Sequence, residues 1–344
     1  MISTLHPVTL HGGNIYQFAK KLNCNANDII DFSSNIHFHQ AVNWHELEIN
    51  LTPYADLNYS DLKQVISKRY NFAKPIELEI FNGASTAIFS LLRFLKPKNL
   101  VLYAPLYGEY VNVARQLTCN VQQINRFVDD LFQSISENST VIFVNPSTPD
   151  GQLYDVKKLV THWQIANCNV IIDESFLDFC TAPSISEFIE SYSKLFIVKS
   201  LCKFYGCAGV RVGFIAAQKE PISKLRQFEP MWKISTFDSV YMQASLKNET
   251  FILQTRQETA YLREKLEQVL KASNLFAKIY PGTANFVLGR LRQQTGYELQ
   301  IQLARFKILI RVCDSFDFLD SRDVRFAVKS ETDIEKLAHA FSHL

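Results

Sequence analysis

No stretch of this chain stays apolar over the ~18 residues that a membrane-spanning helix needs. The opening, MISTLHPVTLHGGN, has no basic segment leading into a long apolar one, so no secretory signal is expected. Neither sign of charge is in excess. Lys and Arg number 36 and Asp and Glu 34, a formal charge of +2, which gives no electrostatic case for nucleic acid. Cysteine is sparse and unpatterned. The seven (Cys24, Cys119, Cys168, Cys180, Cys202, Cys207 and Cys313) are an odd number, and none form a C-x-x-C pair. They read as small, mostly buried residues and free thiols of a reducing cytoplasm, not as a disulfide frame or a zinc site, so no metal is expected. Internal repeats and low-complexity linkers are missing too. What is present is apolar mass. Of 344 residues, 47% are hydrophobic and 20% charged, enough for one large or two modest domains with a sizeable core.

The middle of the chain alternates short apolar runs with longer amphipathic segments. The runs are ELEIF (77–81), NLVLYA (99–104), TVIFVN (140–145), NVIID (169–173), KLFIV (194–198) and VGFIAA (212–217). They are rich in Val, Ile, Leu and Phe, as strands buried on both faces are. Helices are expected at 84–96, 108–117 and 155–166. That alternation predicts an α/β fold with a mostly parallel sheet covered by helices on both sides. From about 241 the pattern changes. A long amphipathic stretch (248–272) precedes short strand-like runs at 284–289, 307–312 and 324–328 and a final helix at 331–343. This predicts a large domain over 38–240 and a smaller α+β domain built from 1–37 and 241–344.

In such sheets, ligands sit beyond the carboxyl ends of the strands. The chemically suggestive residues fall there. Lys203, just past a buried strand, becomes a nucleophile toward an aldehyde if its surroundings lower its pKa. An ordinary surface lysine is the plainer reading, and Lys199, four residues earlier, competes with it. Asp173 ends an apolar strand, where its carboxylate needs a partner; a protonated pyridine nitrogen would suit. A helix cap or a metal ligand is the alternative, and no cluster with metal-ligand spacing stands nearby. Gly83, Ala84, Ser85 and Thr86 open an apolar helix, whose free N–H groups suit a phosphate, although an ordinary Ser/Thr cap reads the same way. Ser200 and Arg211 would add donors, Arg211 through its fork. Tyr107 could stack on a ring face or simply fill core.

The segments NGAST, APLYGEY, NPSTPDG, DESFLDF and SLCKFYGCAGVRVGF together resemble the class I/II aminotransferases of pyridoxal-phosphate (PLP) fold type I. The resemblance runs from about residue 10 to the C-terminus. In that family a phosphate-binding arginine follows the cofactor lysine by eight residues. Lys203 and Arg211 match; Lys199 has no such partner. The resemblance implies PLP held as a Schiff base on Lys203, with Asp173 on the pyridine nitrogen and Tyr107 on the ring. Ala84, Ser85, Ser200 and Arg211 would hold its phosphate, joined by Tyr54 of a second subunit, since YADLNY (54–59) resembles the stretch that crosses the family's dimer. Arg325 matches the carboxylate-binding arginine.

Within the family, HGGNI (11–15) and DFSSNI (31–36), with DESFLDF and SLCKFYG, look like the threonine-phosphate decarboxylase branch, which makes aminopropanol phosphate for the cobalamin nucleotide loop. Histidinol-phosphate aminotransferases are the neighbouring branch, and they usually carry tyrosine at the position of Phe176. Arg311, His11 and Asn35 would join Arg325 at the substrate end. Two departures concern the cofactor's phenolic oxygen: Thr148 replaces the family's asparagine, and Phe176 offers no donor. Cys202 also replaces the usual Ser or Thr before the lysine. The expected activity is decarboxylation of threonine phosphate or serine phosphate by a cytoplasmic homodimer. The alternatives are a histidinol-phosphate-type aminotransferase and an inert scaffold or regulator of the same fold. No nucleic acid or membrane partner is expected.

Overall fold

Strand residues that alternate between two apolar layers explain the centre of the molecule. In β5 (Thr140–Val144), Val141 and Phe143 join one layer and Ile142 and Val144 the other. A strand greasy on both faces must lie inside a sheet sandwiched by helices. This is what the computed structural model, which describes residues 12–73 and 76–344, contains. Ahead of the sheet come α1 (Ile15–Leu22), the two-residue β1 (Ile30–Asp31) and α2 (Ser60–Tyr70). The sheet itself comprises β2 (Ile76–Asn82), β3 (Asn99–Ala104), β4 (Asn120–Asn125), β5, β6 (Asn169–Asp173), β7 (Leu195–Ser200) and β8 (Val212–Gln218). Their spatial order is β2-β8-β7-β6-β5-β3-β4, and only β8 runs against its neighbours.

Three helices cover one face: α3 (Gly83–Leu95), α4 (Gly108–Leu117) and α6 (Lys219–Arg226). The other face packs against α2, α5 (Val156–Ile165) and α7 (Thr236–Lys247). Helix α7 runs straight through residue 240, and its Tyr241, Met242 and Leu246 belong to the sheet's own core.

A second core follows. Helix α8 (Glu249–Ala272) is capped by Asn248 and buries Ile252, Thr255, Thr259, Leu262, Leu266 and Leu270, a stripe at helical spacing. Its C-terminal half packs with β9 (Phe276–Ile279), β10 (Phe286–Leu291), α9 (Gly296–Ala304), β11 (Ile308–Leu309), β12 (Arg311–Val312), β13 (Asp323–Ala327) and α10 (Glu331–Phe341). Strands β12-β13-β10-β9 form an antiparallel sheet, while β1 pairs in parallel with β11. The run at 307–312, expected as one strand, is therefore split between two sheets. Among the described residues no helix is long and apolar enough to cross a membrane.

This topology sets the site. The last residues of β2, β3, β5, β6 and β7 share one edge. Because β8 is reversed, its first residue, Val212, also lies there, opposite Asn82 of β2. Arg211 is thereby delivered to the start of α3.

Candidate active site

A cavity of about 350 Å³ opens at this edge. Of the thirteen residues expected to hold cofactor or substrate, eleven line it: Asn35, Ala84, Ser85, Tyr107, Thr148, Asp173, Ser200, Lys203, Arg211, Arg311 and Arg325. Tyr54 does not. It is 79% exposed and lies stacked on Trp232, with ring centroids 4.5 Å apart. His11 lies outside the described residues.

One end is built for an anion. Helix α3 begins without a side-chain cap on its free N–H groups. Gly83 has φ +76°, and a Cβ there would come within 2.5 Å of Arg211 Nη2. A Cβ on Gly213 would fall 2.5 Å from the Ala84 nitrogen. Two glycines thus let β8 and the Arg211 guanidinium close directly on the first turn of the helix. Ser85 Oγ lies 3.1 Å from the Tyr107 hydroxyl, and Arg211 Nη1 donates to Ala208 O at 3.0 Å. Helix N-terminus, guanidinium and hydroxyls form a cup that fits a phosphate.

The middle holds a carboxylate and an amine. Asp173 is 4% exposed and accepts from the Tyr110 hydroxyl (3.0 Å) and the Ser175 N–H (2.9 Å). Lys203 Nζ sits over the Phe176 ring, 4.9 Å from its centroid. Burial pushes its pKa below that of an ordinary lysine; the attraction of Asp173 opposes the shift, and the positive charges of Arg211 and Arg325 reinforce it. The shift is toward the neutral amine, the form that attacks an aldehyde. Lys199 is turned away from the cavity. Its Nζ lies 3.6 Å from Glu174 and 3.7 Å from Asp178 and over the Tyr70 ring, so it serves a buried ion cluster.

The far end is cationic. Arg311 and Arg325 face each other across β12 and β13 in direct register. Arg325 donates to Thr148 Oγ1 (3.1 Å) and to the Ser33 carbonyl (3.2 Å), and its buried Nε has no partner. Among the described residues it forms no ion pair. Burial lowers its pKa to about 10. A buried guanidinium in this condition suits an anionic ligand. Because Thr148 Oγ1 accepts from Arg325, the threonine's own hydrogen is left to donate elsewhere.

Some lining residues were not singled out from the sequence: Ser33, Ser34, Ile36, Ser175 and Phe316. Ser175 stood in the DESF run, but its hydroxyl accepts from the Ser200 N–H (3.1 Å), a contact between adjacent strand ends that spacing does not reveal. Lys329 Nζ, which donates to the carbonyls of Ser34 and Ile36, was also overlooked.

A mostly parallel sheet carrying lysine, aspartate and a phosphate cup at one edge defines a PLP enzyme of fold type I. The model of the family "Aminotransferase class I and II" matches residues 19–344, and the chain belongs to that family, whose cofactor is PLP. It is 27% identical over 357 residues to the adenosylcobalamin biosynthesis bifunctional protein CobDQ of Leptospira interrogans, covering 97% of this chain and 41% of that protein. The chain thus spans less than half of that relative's length. It is 25% identical over 358 residues to threonine-phosphate decarboxylase of Salmonella typhimurium, covering 97% and 96%. Among solved structures, histidinol-phosphate aminotransferase from Clostridium acetobutylicum superposes with a TM-score of 0.83 at 27% identity, covering 91% and 98%.

Proposed function

We propose that this enzyme decarboxylates an O-phosphorylated amino acid, threonine phosphate or serine phosphate, to the corresponding amino alcohol phosphate for a cobamide nucleotide loop. The observation that carries this reading is the paired Arg311 and Arg325 at the end of the cavity opposite the phosphate cup. Two guanidinium groups suit a substrate with two anionic groups, a carboxylate and a phosphate. The similarity to threonine-phosphate decarboxylase along nearly its whole length supports it.

In this reading Lys203 holds the cofactor covalently, Asp173 partners its ring nitrogen and Tyr107 covers its face. Ala84, Ser85, Ser200 and Arg211 hold its phosphate, and Thr148 is the donor for its phenolic oxygen. When bound, the cofactor supplies an electron sink for the pair left at Cα. Arg325 would grip the substrate carboxylate and Arg311 its phosphate, with Asn35 lining the same cavity. Their grip would orient the substrate at Cα so that the bond to the carboxylate, and not the C–H bond, is the one exposed to cleavage. With the carboxylate gone as carbon dioxide, Lys203 Nζ would supply the proton that takes its place on Cα.

The chain acts as a homodimer in this proposal. Tyr54 stands exposed, stacked on the exposed ring of Trp232, an apolar surface that suits a partner subunit whose phosphate cup Tyr54 would reach. A cytoplasmic setting accords with seven free thiols. The second reading, a histidinol-phosphate-type aminotransferase, is favoured by the likeness to the Clostridium enzyme. Incubation with threonine phosphate separates the two. Carbon dioxide released without any oxo-acid supports the decarboxylase. Turnover that waits on an oxo-acid acceptor and releases no carbon dioxide overturns it in favour of the aminotransferase.

A further inference from the structure

We propose that Tyr110 is a positioning residue of this site: from inside α4 it holds Asp173 and Tyr107, the two side chains given to the cofactor ring, in their working orientation. The inference rests on the reading of Asp173 as the partner of the ring nitrogen.

Tyr110 is fully buried, beneath the cavity rather than in its lining. Its hydroxyl donates to Asp173 Oδ2 at 3.0 Å, while the Ser175 N–H takes Oδ1 at 2.9 Å. The carboxylate is gripped at both oxygens, so its plane is fixed and its remaining lone pairs are left for the cavity. The same ring meets Tyr107 edge-on, with centroids 6.4 Å apart and planes at 88°. The Tyr110 N–H also donates to the Tyr107 carbonyl at 3.1 Å. One residue therefore braces both of the side chains that would face the ring.

The direction of donation is settled by chemistry. Burial, and then the negative charge of Asp173, push the Tyr110 phenol well above its ordinary pKa, so it keeps its proton and donates. Tyr103, buried in the core, donates to the Leu131 carbonyl at 2.9 Å. Tyr110 instead reaches a strand-end carboxylate 63 residues away that lines the cavity. Phenylalanine would fill the same volume yet leave Oδ2 short of a donor.

The test is the dissociation constant of PLP in four proteins: wild type, Tyr110→Phe, Asp173→Ala and the double variant. Melting curves of the cofactor-free proteins first establish that all four fold. A donor that acts through Asp173 matters only while Asp173 is present. Tyr110→Phe should weaken PLP binding about tenfold in the wild-type background, the scale of a charge-assisted hydrogen bond. With Asp173→Ala already in place it should weaken binding less than about twofold. Equal losses in the two backgrounds would make Tyr110 an ordinary packing residue, and no loss in the first would remove it from the site; either overturns the proposal. If Asp173→Ala binds PLP as tightly as wild type, the reading of Asp173 fails first and the proposal with it.

Discussion

Gly83→Ala isolates the anion cup with a single methyl group. The added Cβ meets two obstacles. At φ +76° a side chain is disfavoured, by about 1–2 kcal/mol for the left-handed region. The Cβ would also stand 2.5 Å from Arg211 Nη2 and 3.1 Å from its Cζ. The obstructing atoms end a flexible side chain, so the clash is relieved by swinging the guanidinium out, at little further cost to the fold. The damage then falls on the ligand. Losing a charge-assisted contact to phosphate costs about 1.5–3 kcal/mol, or roughly 10- to 150-fold in affinity. The expected result is a melting temperature lower by only a few degrees together with PLP binding weaker by one to two orders of magnitude. Arg211→Ala should cause a similar loss, and the double variant little more than either alone, because both remove the same contact. Equilibrium titration of the cofactor-free proteins measures all three. Unchanged PLP affinity in Gly83→Ala, or fully additive losses, would show that Arg211 does not hold the phosphate from this position.

Three further outcomes are expected. The rate at which cofactor-free protein captures PLP covalently should rise with pH, with a midpoint below the 10.5 of an ordinary lysine, because burial disfavours the Lys203 ammonium. Asp173→Asn should move that midpoint further down by removing an attraction for the ammonium, and Arg211→Ala should move it up; shifts in the opposite senses would contradict the electrostatics. Buried His37 is depressed to about 3, chiefly by burial and then by His39, even with Glu258 at 3.9 Å and Thr255 at 3.5 Å. Its folded pKa lies below the unfolded 6.5, so the unfolded chain takes up the proton first and stability falls from pH 6.5 toward 3, by roughly 2 kcal/mol at pH 5. His37→Asn should flatten that part of the stability profile, and an unchanged slope on thermal melting would refute the linkage. Mixing Tyr54→Ala subunits with Lys203→Ala subunits should restore one active site per mixed dimer; mixed dimers without activity would refute the crossing of Tyr54.

The strands at the centre were legible because they are buried on both faces. NVIID and TVIFV announce themselves by composition alone, and the observed β6 and β5 coincide with them almost residue for residue. Strand β4 was not legible. It lies at the sheet's edge with Asn120, Val121 and Gln123 exposed, so it carries no apolar run. Helix α7 escaped notice because TFDSVYMQASLK has hardly any amphipathic period; it buries Ser239 and Ser245 along with Tyr241 and Met242. In the site, the residues at strand ends could be read because chain order places them on one edge. The contacts between them could not. Thr148 meets Arg325 across 177 residues and Tyr110 meets Asp173 across 63, and both pairs exist only once two sheets or a helix and a strand have packed. For Tyr110 the sequence did offer one signal: a tyrosine on the buried stripe with Val113 and Ala114, where a hydroxyl must find a partner inside.

Lys199 is the penultimate residue of β7 and Lys203 lies three residues past its end, and the structure turns them to opposite fates: Lys199 to Glu174 and Asp178, Lys203 to the cavity. The most direct measurement is therefore borohydride reduction of the PLP-loaded protein followed by peptide mapping. The pyridoxyl label should sit on Lys203 alone and vanish in Lys203→Ala while Lys199→Ala keeps it. A label on Lys199, or one that survives Lys203→Ala, would contradict this account of the site.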